Sequence, residues 1–463
     1  MRHLPALAAA TGIAALIWFG TPGLTSAGRA TLLIFALAMI GWVMTKADDV
    51  TIALAAALAL VAAGAVTPST FYMALGSELI WLMIATFTIS EVLRHSTLAE
   101  RAASYALRRV RTVRGMFHAL AAIVFVTAFV MPSPSARAAL FLPIYLAVTD
   151  LLKSAPISKG LALLFPSVIL LSSAGVLTGS GAHLLALDLL SQAAPTERID
   201  YLQWLMLALP IALASCLAAT ELILWIFVRP SAQAPLALEM PKPGRLSASQ
   251  WFVTLVILIT VMAWVATPWH GVSMGIVAIA AAVLLTQHQL SGVSMKTAVR
   301  GVEWTLVLFF AATVLLGQAI VSSGAGKWLA DSLLGHWNPT GALAPLAIAF
   351  GVSAVALLSH LVVVSRSARA AILVPTFALP LADLGYSASA LVLLTVIGTG
   401  FCQTLPISSK TVTLFSQRTD GDALQTADFV RLAVALLPVM LGLMLVFSLA
   451  IWPHLGFPLW DRE

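Results

Sequence analysis

Long runs of Ala, Leu, Ile and Val alternate along the whole chain with short clusters of Arg, Ser, Pro and Gly. A helix needs about 20 predominantly apolar residues to cross roughly 30 Å of hydrocarbon. On that measure the pattern predicts eleven spans, at 4–20, 30–45, 50–66, 74–93, 160–190, 203–228, 251–266, 272–287, 302–322, 389–417 and 429–451. The first reads as a retained helix. Its alternative is a signal peptide, because Arg2 and an apolar run precede the small residues Thr25, Ser26 and Ala27. Two further apolar regions, 116–150 and 341–382, are interrupted at their middles by Ser, Arg and Pro. Each predicts a re-entrant hairpin, so the fold expected is an all-α polytopic membrane protein.

The interruptions repeat. The segment from Ser133 through Pro134, Ser135, Ala136, Arg137 and Ala138 to Pro143 aligns with Ser365, Arg366, Ser367, Ala368, Arg369 and Ala370 to Pro375, a shift of 232 residues with seven of eleven positions identical. Leu209-Pro210 and Leu437-Pro438 follow at nearly the same shift. Position-matched Ser, Arg and Pro are not what apolar composition alone produces. Two halves of one architecture is the economical reading: residues 30–228 with the hairpin 116–150, and residues 251–463 with the hairpin 341–382. Residues 1–29 precede them, and the Pro-rich stretch 229–250 links them.

Composition sharpens this reading. Sixty per cent of the 463 residues are hydrophobic and only 10% are charged, which a water-soluble fold could not bury. A soluble enzyme and a nucleic-acid module are both excluded. The net charge of +6 then reports topology. With a cytoplasmic N-terminus, seventeen of the 25 Lys and Arg residues fall on the inner side, and only Arg29, Arg198, Lys327 and Arg462 fall outside. An odd number of crossings separates the two motifs, so the halves are expected to be inverted, as in secondary transporters. Segment 97–114, with Arg101, Arg108, Arg109, Arg111 and Arg114, reads as an amphipathic helix on the cytoplasmic face. The expected location is the inner (plasma) membrane.

Four cations remain inside apolar segments: Arg137, Arg366, Arg369 and Lys410. A cation at bilayer depth costs about 2.5–3.5 kcal/mol even on the lenient insertion scale. No Asp or Glu stands within six positions of any of them, so an intrahelical ion pair is excluded, and a small anionic substrate is the natural partner. Ser133, Ser135, Ser365 and Ser367 offer hydroxyl donors, and helices starting beside them point free N–H groups at the same place. The alternative is that the serines cap broken helices while the arginines bind backbone carbonyls to hold the tips. A second interruption follows each hairpin: Ser172 to His183, containing Thr178 and Ser180, and Gly398 to Thr411, containing Ser408, Ser409 and Lys410. Unwound backbone at membrane depth survives only where it lines a cavity or is buried in protein, which makes these residues expected second walls of the site. His183 titrates in a range suited to proton coupling, although a hydrogen-bonded structural role fits it as well. Cys216 and Cys402 sit far apart in apolar runs and read as buried packing.

These motifs resemble the divalent anion/sodium symporter family of the ion-transporter superfamily. Its members carry Ser-Asn-Thr at each hairpin tip, followed by Leu-Pro-Ile. Here the chain has Ser133-Pro134-Ser135 with Leu142-Pro143-Ile144, and Ser365-Arg366-Ser367 with Val374-Pro375. The Ala-Arg-Ala extensions are similar to the plastid dicarboxylate translocator branch. The resemblance runs over residues 30–455 and implies two hairpins, eleven helices, an elevator mechanism, a homodimer and substrate held between the tips. It also implies sodium beside each tip in the symporters, yet Pro134 and Arg366 replace the motif Asn, and Ser180 to His183 and Ser408 to Thr411 replace the family's Thr-Pro-Pro-Asn turns. Fixed positive charge at Arg366 and Lys410 disfavours sodium, and no other cofactor is expected. The function expected is secondary transport of a di- or tricarboxylate by a sodium-independent exchanger or proton-coupled carrier. Its alternatives are a sodium-coupled dicarboxylate or sulfate symporter and, in a different class, a transport-dead anion receptor or scaffold. No nucleophile with its base, acid pair or metal-ligand cluster suggests an enzyme.

Overall fold

A computed structural model describes residues 4–21, 23–45, 47–229, 234–236, 244–334, 343–405, 409–416 and 424–460. Its regular structure among those residues is helical. Nine helices in the described residues are long and apolar enough to cross a bilayer. The spans expected at 50–66 and 272–287 are shorter: Asp49–Ala62 has 14 residues and Met274–Leu285 has 12. At about 1.5 Å per residue neither crosses the hydrocarbon alone. The span expected at 74–93 is divided into Pro68–Leu75 and Glu78–His95 around Gly76 and Ser77.

Both interrupted regions form helical hairpins. The first joins Val113–Thr127 to Pro134–Leu152, and the second joins Ala344–Leu358 to Arg366–Leu373, which continues through a π turn at Val374–Ala378. Pro375 cannot donate a backbone hydrogen bond, and a wider turn accommodates that loss. Pro143 stays within a regular helix. Each hairpin precedes a broken helix: Ala155–Ser173 with Gly181–Ala193, and Ala388–Thr399 with Lys410–Ser416. Helices beginning at Glu78, Leu98, Val113, Pro134, Ala155, Gly181 and Tyr201 recur in order as those beginning at Trp304, Ala325, Ala344, Arg366, Ala388, Lys410 and Thr426. The offsets stay close to the 232 residues that separate the two motifs.

Packing divides the helices into two groups. In the first, Asp49–Ala62 lies along Trp304–Ser322, and Glu78–His95 lies along Met274–Leu285. In the second, Ala155–Ser173 is sheathed by both arms of the first hairpin and by Tyr201–Ile223, and all its residues from Gly160 to Ser173 are buried. This second group is cross-laced. Gly181–Ala193 packs on Arg366–Leu373, and Lys410–Ser416 packs on Pro134–Leu152, so each half's hairpin meets the other half's broken helix. Tyr145 of the first hairpin meets Phe415 edge-on at one such crossing, with ring centroids 5.6 Å apart and an interplanar angle of 82°.

Between the groups, Gly317 faces Leu189. A Cβ at Gly317 would stand 2.0 Å from the leucine's Cδ2, so only glycine permits this approach without displacing its neighbour. The amphipathic segment is shorter than the expected 97–114. Its helix is Leu98–Leu107, because Arg111 O then accepts from Leu236 N at 2.8 Å and Thr112 caps the next helix, accepting from Gly115 N at 3.1 Å.

Candidate functional site

Both hairpin tips are built by serine caps. Ser133 Oγ accepts from Ala136 N at 3.1 Å and Ser365 Oγ accepts from Ala368 N at 3.3 Å, which starts the helices at Pro134 and Arg366. Such a cap satisfies one orphan N–H of the first turn. Ser135 and Ser367 stand half-buried in those first turns. Each cap hydroxyl also faces a carboxylate from the first helical group. Ser133 donates to Glu303, the residue before Trp304–Ser322. Ser365 stands beside Asp49, the first residue of Asp49–Ala62.

The four cations found in the sequence have four different environments. Arg137 is 0% exposed. Its guanidinium donates to Thr127 Oγ1 at 3.1 Å, Ile169 O at 2.9 Å, Val124 O at 2.6 Å and Ser172 Oγ at 2.7 Å. Every contact belongs to its own half and ties the hairpin to Ala155–Ser173. Arg369, 1% exposed, donates to Val363 O at 3.3 Å and Thr399 O at 2.8 Å, while its Nε–H has no partner. Arg366 crosses to the first break, donating to Ser173 Oγ at 2.5 Å and reaching His183 Nε2 at 2.8 Å. Its buried Nε–H is also unpartnered. Lys410 is exposed at the start of its helix and interacts electrostatically with Asp49. It therefore departs from the other three, because its charge is not enclosed by protein and has an acidic neighbour.

His183 is fully buried, with its ring centroid 4.9 Å from that of Trp204. Its Nδ1 lies 3.0 Å from Val176 O, and a carbonyl can only accept. The proton therefore sits on Nδ1, leaving the Nε2 lone pair to accept from Arg366. Trp204 in turn donates to Ala174 O at 3.1 Å, fixing the unwound strand between the two helices. Ser180 caps Gly181–Ala193, accepting from Ala182 N at 3.4 Å, and Thr178 stands beside the Tyr201 hydroxyl. In the second break Ser409 Oγ accepts from Val412 N at 3.2 Å, while Ser408 lies outside the described residues.

Three participants were not singled out from the sequence. Asp49 and Glu303 come from helices remote in sequence from the tips they meet. Gln403, 1% exposed, accepts from Cys402 N at 3.0 Å and leaves its Nε2 donor unpartnered. Arg369 binds Thr399, and a Cβ on Gly400 would lie 3.0 Å from Arg366 Nη2. The unpartnered donors of Arg366, Arg369 and Gln403 thus all belong to the second tip and the adjoining segment 399–403. No carboxylate forms an ion pair with either arginine among the described residues. Two guanidinium groups with neutral protein partners and spare N–H donors make a site suited to an anion.

Similarity to known proteins extends along most of the chain. The family model described as the sodium:sulfate symporter transmembrane region matches residues 2–457. A protein of Cupriavidus necator described as a membrane protein is 26% identical, with 94% of this chain and 89% of that one covered. The Arabidopsis thaliana protein named dicarboxylate transporter 2.2, chloroplastic, is 25% identical over 67% of this chain and 58% of its own length. Among solved structures, the YdaH transporter of Alcanivorax borkumensis superimposes with a TM-score of 0.58 at 15% identity, covering 85% of this chain and 89% of the other. That likeness is one of fold.

Proposed function

The chain belongs to the sodium:sulfate symporter transmembrane family, and from that premise we propose that it is a secondary active transporter of a di- or tricarboxylate, working as a sodium-independent exchanger. That it is a multi-pass membrane transporter and not an enzyme follows from the family. The observation that carries the finer reading is the pair Arg366 and Arg369, one turn apart, with neutral partners only and a free Nε–H on each. Enclosed, uncompensated cations are costly, and a dianion offsets both. The chloroplast relatives named as dicarboxylate transporters support a carboxylate over sulfate.

Sodium independence is supported at the first break. Ser173 Oγ and His183 Nε2 supply lone pairs that a monovalent cation would need, and a guanidinium already occupies both. His183, neutral and facing a permanent cation, is a positioning residue for Arg366 and a poor proton carrier, which favours exchange over proton coupling. The same bonds tie the second tip to the first half. The second helical group, holding both hairpins and both broken helices, is read as the moving part of an elevator. The group containing Asp49–Ala62 and Trp304–Ser322 is the scaffold. Inverted repeats at 30–228 and 251–463, a homodimer and an inner-membrane location with a cytoplasmic N-terminus complete the proposal.

Counterflow in proteoliposomes tests it. Vesicles preloaded with unlabelled succinate should accumulate labelled succinate in sodium-free buffer. Uptake that requires a sodium gradient would replace this reading with a sodium-coupled symporter, and binding without any flux would replace it with a receptor.

A further inference from the structure

Ser133 and Ser365 each hold one hydroxyl proton; in this structure Glu303 takes that of Ser133, and Asp49, also from the scaffold, stands beside Ser365. These two acids are arranged alike. Asp49 opens its helix, Glu303 immediately precedes its own, and the two helices pack along one another. At the tips, the same carboxylates also meet the N-terminal ends of Pro134–Leu152 and Arg366–Leu373.

We propose that Asp49 and Glu303 are internal stand-ins for the two carboxylates of the substrate, which pin the empty transport unit to the scaffold and so enforce exchange. This rests on the carrier reading above and adds to it the device that forbids an empty return. The physical basis is mutual exclusion. One hydroxyl proton serves one acceptor, and two carboxylates competing for the same donor repel each other. A dicarboxylate that takes the tip hydroxyls must therefore evict both scaffold acids, and with them the Ser133–Glu303 bond and the Ser365–Asp49 contact that join the tips to the scaffold. Without substrate these contacts re-form and the unit stays docked. Lys410, beside Asp49, balances the evicted charge at the second tip.

Succinate efflux from proteoliposomes, measured with and without succinate outside, tests the idea. The wild-type protein should release label at least tenfold faster with external succinate than without it. In Asp49→Asn/Glu303→Gln this ratio should fall below about threefold, because efflux without exchange rises. Wild-type efflux that is equally fast in both modes would sink the pinning idea while leaving the carrier reading intact; no mediated flux of succinate in either mode would remove both. A variant pair guards against a trivial folding defect. Ser133→Ala should raise unexchanged efflux, and adding Glu303→Gln to it should change little further, since both remove the same bond. Full additivity of the two would overturn the proposal.

Discussion

Arg137 and Arg369 hold equivalent places in the two hairpin motifs, yet their surroundings assign them different work. Four protein acceptors hold the guanidinium of Arg137, so Arg137→Lys should act on stability. Lysine brings three N–H donors to these four acceptors, so at least one loses its donor, at about 1–3 kcal/mol for each buried group left unsatisfied, read as a lower unfolding midpoint in detergent. Arg366→Gln should act on binding instead, lowering succinate affinity at least tenfold in a titration while the unfolding midpoint of the substrate-free protein moves little. Equal midpoint losses in both variants would contradict this division. The cations themselves were visible in the sequence because charge inside an apolar run is conspicuous. Their partners were not. Ser173 and His183 lie 193 and 183 residues from Arg366, and Glu303 lies 170 residues from Ser133, with no local pattern to announce either pairing.

At the level of elements, the hairpins and breaks were legible because Ser, Pro and Gly interrupt runs that would otherwise continue. Helix lengths were less so, since hydropathy does not report where a short helix hands over to a turn, as Asp49–Ala62 does at Gly64, with φ of 70°. One junction invisible to pattern reading joins the halves outside the spans. Glu197 receives Ser389 N at 2.8 Å, Ala388 N at 3.2 Å and Ser387 Oγ at 3.1 Å, and so caps the helix Ala388–Thr399. Burial raises its pKa, but these hydrogen bonds outweigh burial and leave the net value below the usual 4.5. The sign follows directly: the cap's stabilisation is complete above pH 4.5 and disappears as acid protonates Glu197 below that value. Glu197→Gln should remove this acid-sensitive step from a pH series of unfolding midpoints, and Glu197→Ala should cost about 1–2 kcal/mol, as for other lost caps. Gly317 makes a second prediction for the elements. Gly317→Val places carbon where Leu189 now lies, an overpacking cost of about 1–3 kcal/mol, and should slow succinate exchange by holding the two helical groups apart.

For the molecule as a whole, the composition disclosed a polytopic membrane protein, whereas the crossing of each hairpin onto the broken helix from the other part of the chain needed coordinates. That crossing has a consequence in time. Gly181–Ala193 finds its packing surface on Arg366–Leu373, a segment synthesised only some 180 residues later. At roughly 5–20 residues per second, the ribosome makes the first broken helix wait about ten seconds or more for its partner. Until then its buried face, including His183, has nothing of the second half to meet. A chain stopped at residue 250 should therefore insert but remain protease-sensitive within 181–193, and co-expression of residues 244–463 should restore protection. Biogenesis of this carrier is governed by its last third, and a nascent first half depends on the membrane-insertion machinery for shelter until that third arrives.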